Sequence, residues 1–297
     1  MRTGDPPAAA LTEIAGVVRP ARRPTGWIAR GPTPRGPRGE ADLQPQAGED
    51  LCYLSGDWRI LQRLDGHRWS LDDLATAHHA VRAASVLAAG EPVRFADMGC
   101  GIGTVLLLLA WRFPRARGVG VEAQHLSVAL ARRSARWNGA DDRVEVRSGD
   151  LREASSWPEG AVFDLVTGTP PYLPPGTASE SSRAQCGPCR IEHRGGIEDY
   201  CRAAAALLAP GGRFVSCAGG PTFERALAAG ANAGLVAESS RAVVPRAGKA
   251  PLFWLLRFGR REEVAHATVE PPLVVRDAVG RRTEEFASLR DEMGMPR

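Results

Sequence analysis

Lysine is nearly absent: of 38 basic side chains in the 297-residue chain, only Lys249 is one. So strong a bias reflects genomic composition before it reflects phosphate recognition. Cysteine is sparse as well, and six of them (52, 100, 186, 189, 201, 217) do not make a disulfide scaffold in a chain this long. No secretory hydrophobic region follows Met1, so a reducing, cytoplasmic compartment is expected. The Arg-, Ala- and Pro-rich start also suits an organelle transit peptide, although Asp5 and Glu13 break that acid-poor pattern. Long apolar runs are missing too. The longest, Val105 to Trp111, falls far short of the roughly 18 residues a membrane span needs, so no membrane partner is expected.

Excess charge of one sign is small. The net charge is +4, and residues 1–47 carry seven arginines against four acids, which leaves the remainder near neutrality. A nucleic acid would have to be gripped by a local basic patch or by the tail, not by bulk charge. Residues 1–47 are dense in Pro, Gly and Arg without hydrophobic periodicity, which predicts a disordered tail. The regular chain divides into a domain over 48–260 and a C-terminal extension over 261–297 packing on it.

What is present is alternation. Leu51 to Arg63 reads as one or two short strands, and Ser70 with Asp73 opens a helix toward Gly90. A strand at Pro92–Met98 precedes an apolar helix at Thr104–Phe113. A strand at Gly118–Glu122, a helix at Leu126–Trp137 and strands at Val144–Val146 and Phe163–Thr167 follow. The helix Ile197–Leu208 meets the exit signal Pro210-Gly211-Gly212 before strand Arg213–Cys217. A helix near Phe223–Ala229 then leads to two strands, Leu235–Val244 and Pro251–Phe258, with no helix between them. The pattern predicts an α/β fold: a doubly wound, mostly parallel, seven-stranded Rossmann-like sheet closed by an antiparallel hairpin.

The first strand runs into Asp97-x-Gly99-x-Gly101-x-Gly103. A dinucleotide fingerprint needs a third glycine at position 104, where this chain has Thr. The pattern D-x-G-x-G-x-G instead resembles motif I of class I S-adenosylmethionine (SAM) methyltransferases. Glu122 ends the second strand, where a carboxylate accepts both hydrogen bonds of a ribose diol. Asp150 ends the third, with a side chain suited to an adenine amino group and Leu151 beside the ring edge. Nothing here is arranged to hold a pyrophosphate. The resemblance implies SAM as cofactor, held by Asp97, Gly99, Gly101, Gly103, Glu122, Asp150 and Leu151.

The fourth strand ends in Thr169-Pro170-Pro171-Tyr172. Proline donates no ladder hydrogen bond, so the strand must stop there. The turn resembles the (N/D)-P-P-Y motif of amino-group methyltransferases, with Thr169 in the first position. The resemblance implies that Thr169 and the carbonyl of Pro170 accept from a target amine, that Pro171 stiffens the turn, and that Tyr172 stacks on a planar substrate. Thr169 is shorter than Asn or Asp and can donate as well as accept, which weakens the case for an exocyclic base amine.

Gly56–Gln62 followed by Ser70-Leu71-Asp72-Asp73, and the C-terminal Leu273–Phe286 with its Thr-Glu-Glu-Phe run, are similar to the tRNA adenine-N6 methyltransferases that act on position 37. That likeness implies a tRNA partner and puts Asp72 near the cofactor. A protein amide or a small aromatic metabolite is the alternative substrate. Cys186-Gly187-Pro188-Cys189, with His193 and Cys201, has irregular spacing for zinc and the wrong context for a redox helix, so no metal is expected. That stretch reads as a substrate lid in which Arg183, Arg190, His193 and Arg194 either meet phosphates or merely solvate a loop. His67, Arg68 and Trp69 either cover the cofactor or pack, and His78 and His79 read as structural.

Overall fold

Phe95 and Ala96, Leu165 and Val166, Phe214 and Val215, and Leu255 and Leu256 are sequence neighbours that are all buried. Successive side chains of a strand point to opposite faces, so these strands must be covered on both. The computed structural model describes residues 16–20, 22–85, 87, 93–172, 192 and 195–297. A small sheet comes first, with β1 (Val17–Val18) parallel to β2 (Glu49–Tyr53) and β2 antiparallel to β3 (Arg59–Arg63). The main sheet comprises β4 (Arg94–Met98), β5 (Arg117–Glu122), β6 (Val144–Ser148), β7 (Phe163–Gly168), β8 (Leu208–Gly219), β9 (Leu235–Val244), β10 (Phe253–Arg260) and β11 (Thr268–Val274). Their order is β11-β9-β10-β8-β7-β4-β5-β6, and only β10 runs antiparallel to its neighbours.

Helices α1 (Leu71–Ala84), α2 (Thr104–Arg112) and α3 (His125–Asn138) share one core with Phe95, Leu165, Val215 and Leu255. On the other face, α4 (Ile197–Leu207) and α5 (Phe223–Asn232) pack with Ala96, Val166, Phe214 and Leu256. The alternation along each strand therefore sorts directly into two cores. A last helix, α6 (Glu284–Glu292), joins the first core through Phe286 and Leu289.

The expected doubly wound sheet with its closing hairpin is present, but it has eight strands where seven are expected. The extra one, β11, contains Pro271 and Pro272, which argue against a strand in sequence. It lies at the sheet edge, and its pairing with β9 slips between Glu270 and Leu273. An edge strand tolerates prolines because their missing donors cost no ladder bond. The exit signal at Pro210–Gly212 also behaves differently, since it lies inside β8, where pairing with β7 jumps from Phe163↔Leu208 to Leu165↔Arg213.

The expectation of a disordered tail over 1–47 does not hold for its described part. Arg23 lies over the rings of Trp27 and Tyr53, and the backbone of Gly36 donates to Trp137. Arg136 on α3 pairs with Glu40 and Asp42, and Leu43 is fully buried. Arginines without hydrophobic period still make a packed strap when acids and aromatic faces await them.

Candidate active site

Parallel strands β4, β5, β6 and β7 all end on one edge of the sheet, and their following loops form a pocket there. Its cavity volume is about 130 Å³, and it is partly open to solvent. Ligands of open α/β sheets bind at this carboxyl edge. The loop after β4 turns through Gly99, Gly101 and Gly103, each with positive φ. At Gly99 a second constraint acts, because a Cβ there would lie 2.3 Å from the hydroxyl of Tyr200 on α4. At Gly101 a Cβ would meet nothing within 4 Å, which is the open cradle a ligand needs.

Glu122 ends β5, and both its oxygens organise this loop. Oε2 accepts from the backbone of Gly101 at 3.0 Å, and Oε1 from that of Gln124 at 2.6 Å. Asp150, after β6, is gripped by Arg152, whose Nε reaches Oδ1 at 2.9 Å. On the opposite side the N-terminus of α1 presents two carboxylates. Asp73 accepts from the backbone of Ser70 at 2.9 Å, and Asp72 is hydrogen-bonded by the Ser70 hydroxyl. Burial, with Asp72 beside it, pushes the Asp73 carboxyl well above its ordinary range.

Thr169, Pro170, Pro171 and Tyr172 close the pocket next to α1. The Tyr172 hydroxyl meets the Sγ of Cys217 on β8 at 2.7 Å, and a Cβ at Gly219 would lie 3.3 Å from the Tyr172 Cβ. Burial and the neighbouring Cys217 and Asp72 push its phenol far up, so it stays protonated. The ring is thereby anchored at its polar end.

A family model described as a methyltransferase domain matches residues 95–178. The tRNA1(Val) (adenine(37)-N6)-methyltransferase of Porphyromonas gingivalis is 33% identical over 43% of this chain and 50% of its own length. The 4-amino-L-phenylalanine/4-methylamino-L-phenylalanine methyltransferase of Streptomyces pristinaespiralis is 38% identical over 39% of this chain and 40% of its own. The chain thus spans half the length of these relatives or less. The tRNA1(Val) (adenine(37)-N6)-methyltransferase of Aeromonas hydrophila is 32% identical over 59% of this chain and 74% of its own. The chain belongs to the class I SAM-dependent methyltransferases. A crystal structure of a predicted O-methyltransferase from Agrobacterium tumefaciens shares the fold, with a TM-score of 0.54 at 21% identity over 76% of this chain and 98% of its own.

The pocket of this methyltransferase fits SAM on its own chemistry. Its described lining holds four carboxylates, Asp72, Asp73, Glu122 and Asp150, and neither lysine nor arginine. Such a wall repels a pyrophosphate and suits a ligand carrying sulfonium and ammonium charge. Glu122 would hold the ribose, Asp150 and Leu151 the adenine, and Asp72 and Asp73 the amino-acid end.

Ten of the twelve residues singled out in sequence line this pocket: Asp72, Gly99, Gly101, Glu122, Asp150, Leu151, Thr169, Pro170, Pro171 and Tyr172. Asp97 and Gly103 stand behind the wall. Asp97 is buried, with Oδ1 accepting from the Thr167 hydroxyl at 2.8 Å and Oδ2 from the backbone of Leu106 at 3.1 Å. It ties β4, β7 and the start of α2 together and does not itself line the pocket. Gly103 begins α2, where a Cβ would press on Ala131 of α3. Asp73, His67, Tyr200 and Gln124 also line the pocket. Of these only Tyr200 has no local signal, because its place depends on α4 crossing under the glycine loop. Arg183, Arg190, His193, Arg194, Cys186 and Cys189 lie outside the described residues. Cys201 is buried in α4, and the described residues hold no metal-ligating cluster. No described helix is long and apolar enough to cross a membrane.

Proposed function

We propose that this protein is an N-methyltransferase acting on an amino nitrogen, with an adenine of tRNA as the substrate. The observation that carries the reading is that Thr169–Tyr172 and the four carboxylates line one pocket. Bound SAM supplies an electrophilic methyl group on its sulfonium. An exocyclic amine has a lone pair delocalised into its ring, and acceptors that pull its hydrogens out of plane make that pair available. Thr169 Oγ1 and the Pro170 carbonyl are such acceptors, and the paired prolines keep the turn rigid. The anchored Tyr172 ring offers a face for the base. The nitrogen gains positive charge as it takes the methyl and then releases a proton to solvent, so this chain needs no strong base.

The tRNA names of two relatives and the Thr-Glu-Glu-Phe run near the C-terminus support RNA as the substrate. Thr169 in place of Asn or Asp favours a second reading, in which the acceptor is a protein amide or a small aromatic amine. The S. pristinaespiralis relative is consistent with the latter.

The test is transfer of labelled methyl from SAM into unmodified tRNA, with mass spectrometry of the nucleosides. N6-methyladenosine is expected, falling about a hundredfold in rate for Tyr172→Ala and far less for Tyr172→Phe, which keeps the ring. Equal rates for wild type and Tyr172→Ala would remove the turn from the site. Labelled peptide or aromatic amine with unlabelled RNA would select the second reading.

A further inference from the structure

The methyl-donor pocket is lined by four carboxylates. Such a pocket repels a polyanion, so an RNA substrate must be held by a cationic surface elsewhere on the chain. One described groove meets that need. It is shaped by the N-terminal strap, the β2–β3 turn and the C-terminus, and Arg22, Arg23, Trp27, Tyr53, Trp69 and Arg290 line it.

Two of its three arginines have no acidic partner among the described residues. Arg22 is exposed, and among the described residues no carboxylate lies within ion-pair distance of Arg22 or Arg290. Arg290 donates from Nε to the Pro296 carbonyl at 2.8 Å. Burial and the nearby Arg282 lower its guanidinium to about 10, and no acid offsets them. A half-buried cation without a counter-charge is costly, and a phosphate oxygen pair relieves that cost with two-point geometry. Arg23 is engaged, donating to Asp57 and Gly56 at 2.7 Å each, and it lies between the rings of Trp27 and Tyr53. Aromatic rings interleaved with arginines are the composition of a single-stranded RNA platform.

The groove and the methyl-donor pocket share one chain segment. Trp69 forms part of the groove, and the same short segment supplies His67 and Asp72 to the methyl-donor pocket. The geometry points to this groove as the site that grips the phosphate backbone of the RNA substrate, with Arg22 and Arg290 as the phosphate ligands. This inference rests on the RNA reading of the active site.

The test is binding of an unmodified tRNA transcript across a salt series, by fluorescence anisotropy, for wild type, the double variant Arg22→Gln/Arg290→Gln and the control Arg261→Gln. The double variant should bind roughly tenfold more weakly, with a log Kd against log salt slope smaller by about two. The control should match wild type, and SAM affinity should be unchanged in all three. Arg22→Gln alone, at an exposed position, should lower the slope by about one and serves if the double variant does not fold. Wild-type affinity and slope in both variants, with tRNA still methylated, would overturn the groove and leave the RNA reading standing. A wild-type protein that binds no tRNA would overturn both.

Discussion

Burial raises the carboxyl of Asp97 to about 7 from an ordinary value of 3.8. A carboxyl whose folded value lies above its unfolded one binds its proton more tightly when folded. Its contribution to stability is therefore fully present at low pH and is lost as pH climbs from about 4 to about 7. Asp97→Asn keeps an acceptor for the Leu106 backbone, and its amide can donate to the Thr167 hydroxyl. Relative to wild type, the variant should gain about 2–3 kcal/mol of unfolding stability between pH 5 and pH 8, read by chemical denaturation at each pH. A constant difference would contradict the buried, protonated carboxyl. At Glu122 the expected effect is on the ligand. Glu122→Gln loses the charge proposed to face the ribose and one acceptor for the glycine loop. Calorimetric titration should show SAM binding weakened about tenfold to a hundredfold, with the fold retained.

At the scale of elements, α6 acts at a distance from the pocket. Phe286 is buried in the first core, its backbone is capped by the Thr283 hydroxyl at 3.2 Å, and Glu292 meets His78 of α1 at 2.9 Å. Phe286→Ala should cost about 3–5 kcal/mol in denaturant unfolding while SAM affinity of the folded protein stays within about twofold. A large loss of affinity at unchanged stability would mean that α6 belongs to the site. The elements legible in sequence are those with local signals: glycines and an acid at strand ends, a Ser-x-x-Asp start, paired prolines. β11 was hidden because Pro271 and Pro272 obey edge-strand rules that only the finished sheet defines. The strap was hidden because its order comes from Arg133 and Arg136 on α3, far away in the chain, not from any period of its own. Tyr200 was hidden for the same reason: what it touches, Gly99 and Gly168, is set by a helix crossing.

For the whole molecule, the arrangement divides charge between two places. The carboxyl edge of the sheet carries an acid-lined pocket suited to a cationic methyl donor. The strap and the C-terminus bring arginines and aromatic rings to a neighbouring groove. The sheet edge brings the residues proposed to bind the cofactor into one pocket with the Thr169–Tyr172 turn, which in the proposed function aims the reaction at nitrogen. The most direct measurement is a crystal structure of the protein grown with S-adenosylhomocysteine. The expected density has the ribose hydroxyls on Glu122, the adenine beside Asp150 and Leu151, and the sulfur facing Pro170 and Tyr172. Density with the ribose away from Glu122, or a pocket that stays empty at saturating ligand, would contradict the account.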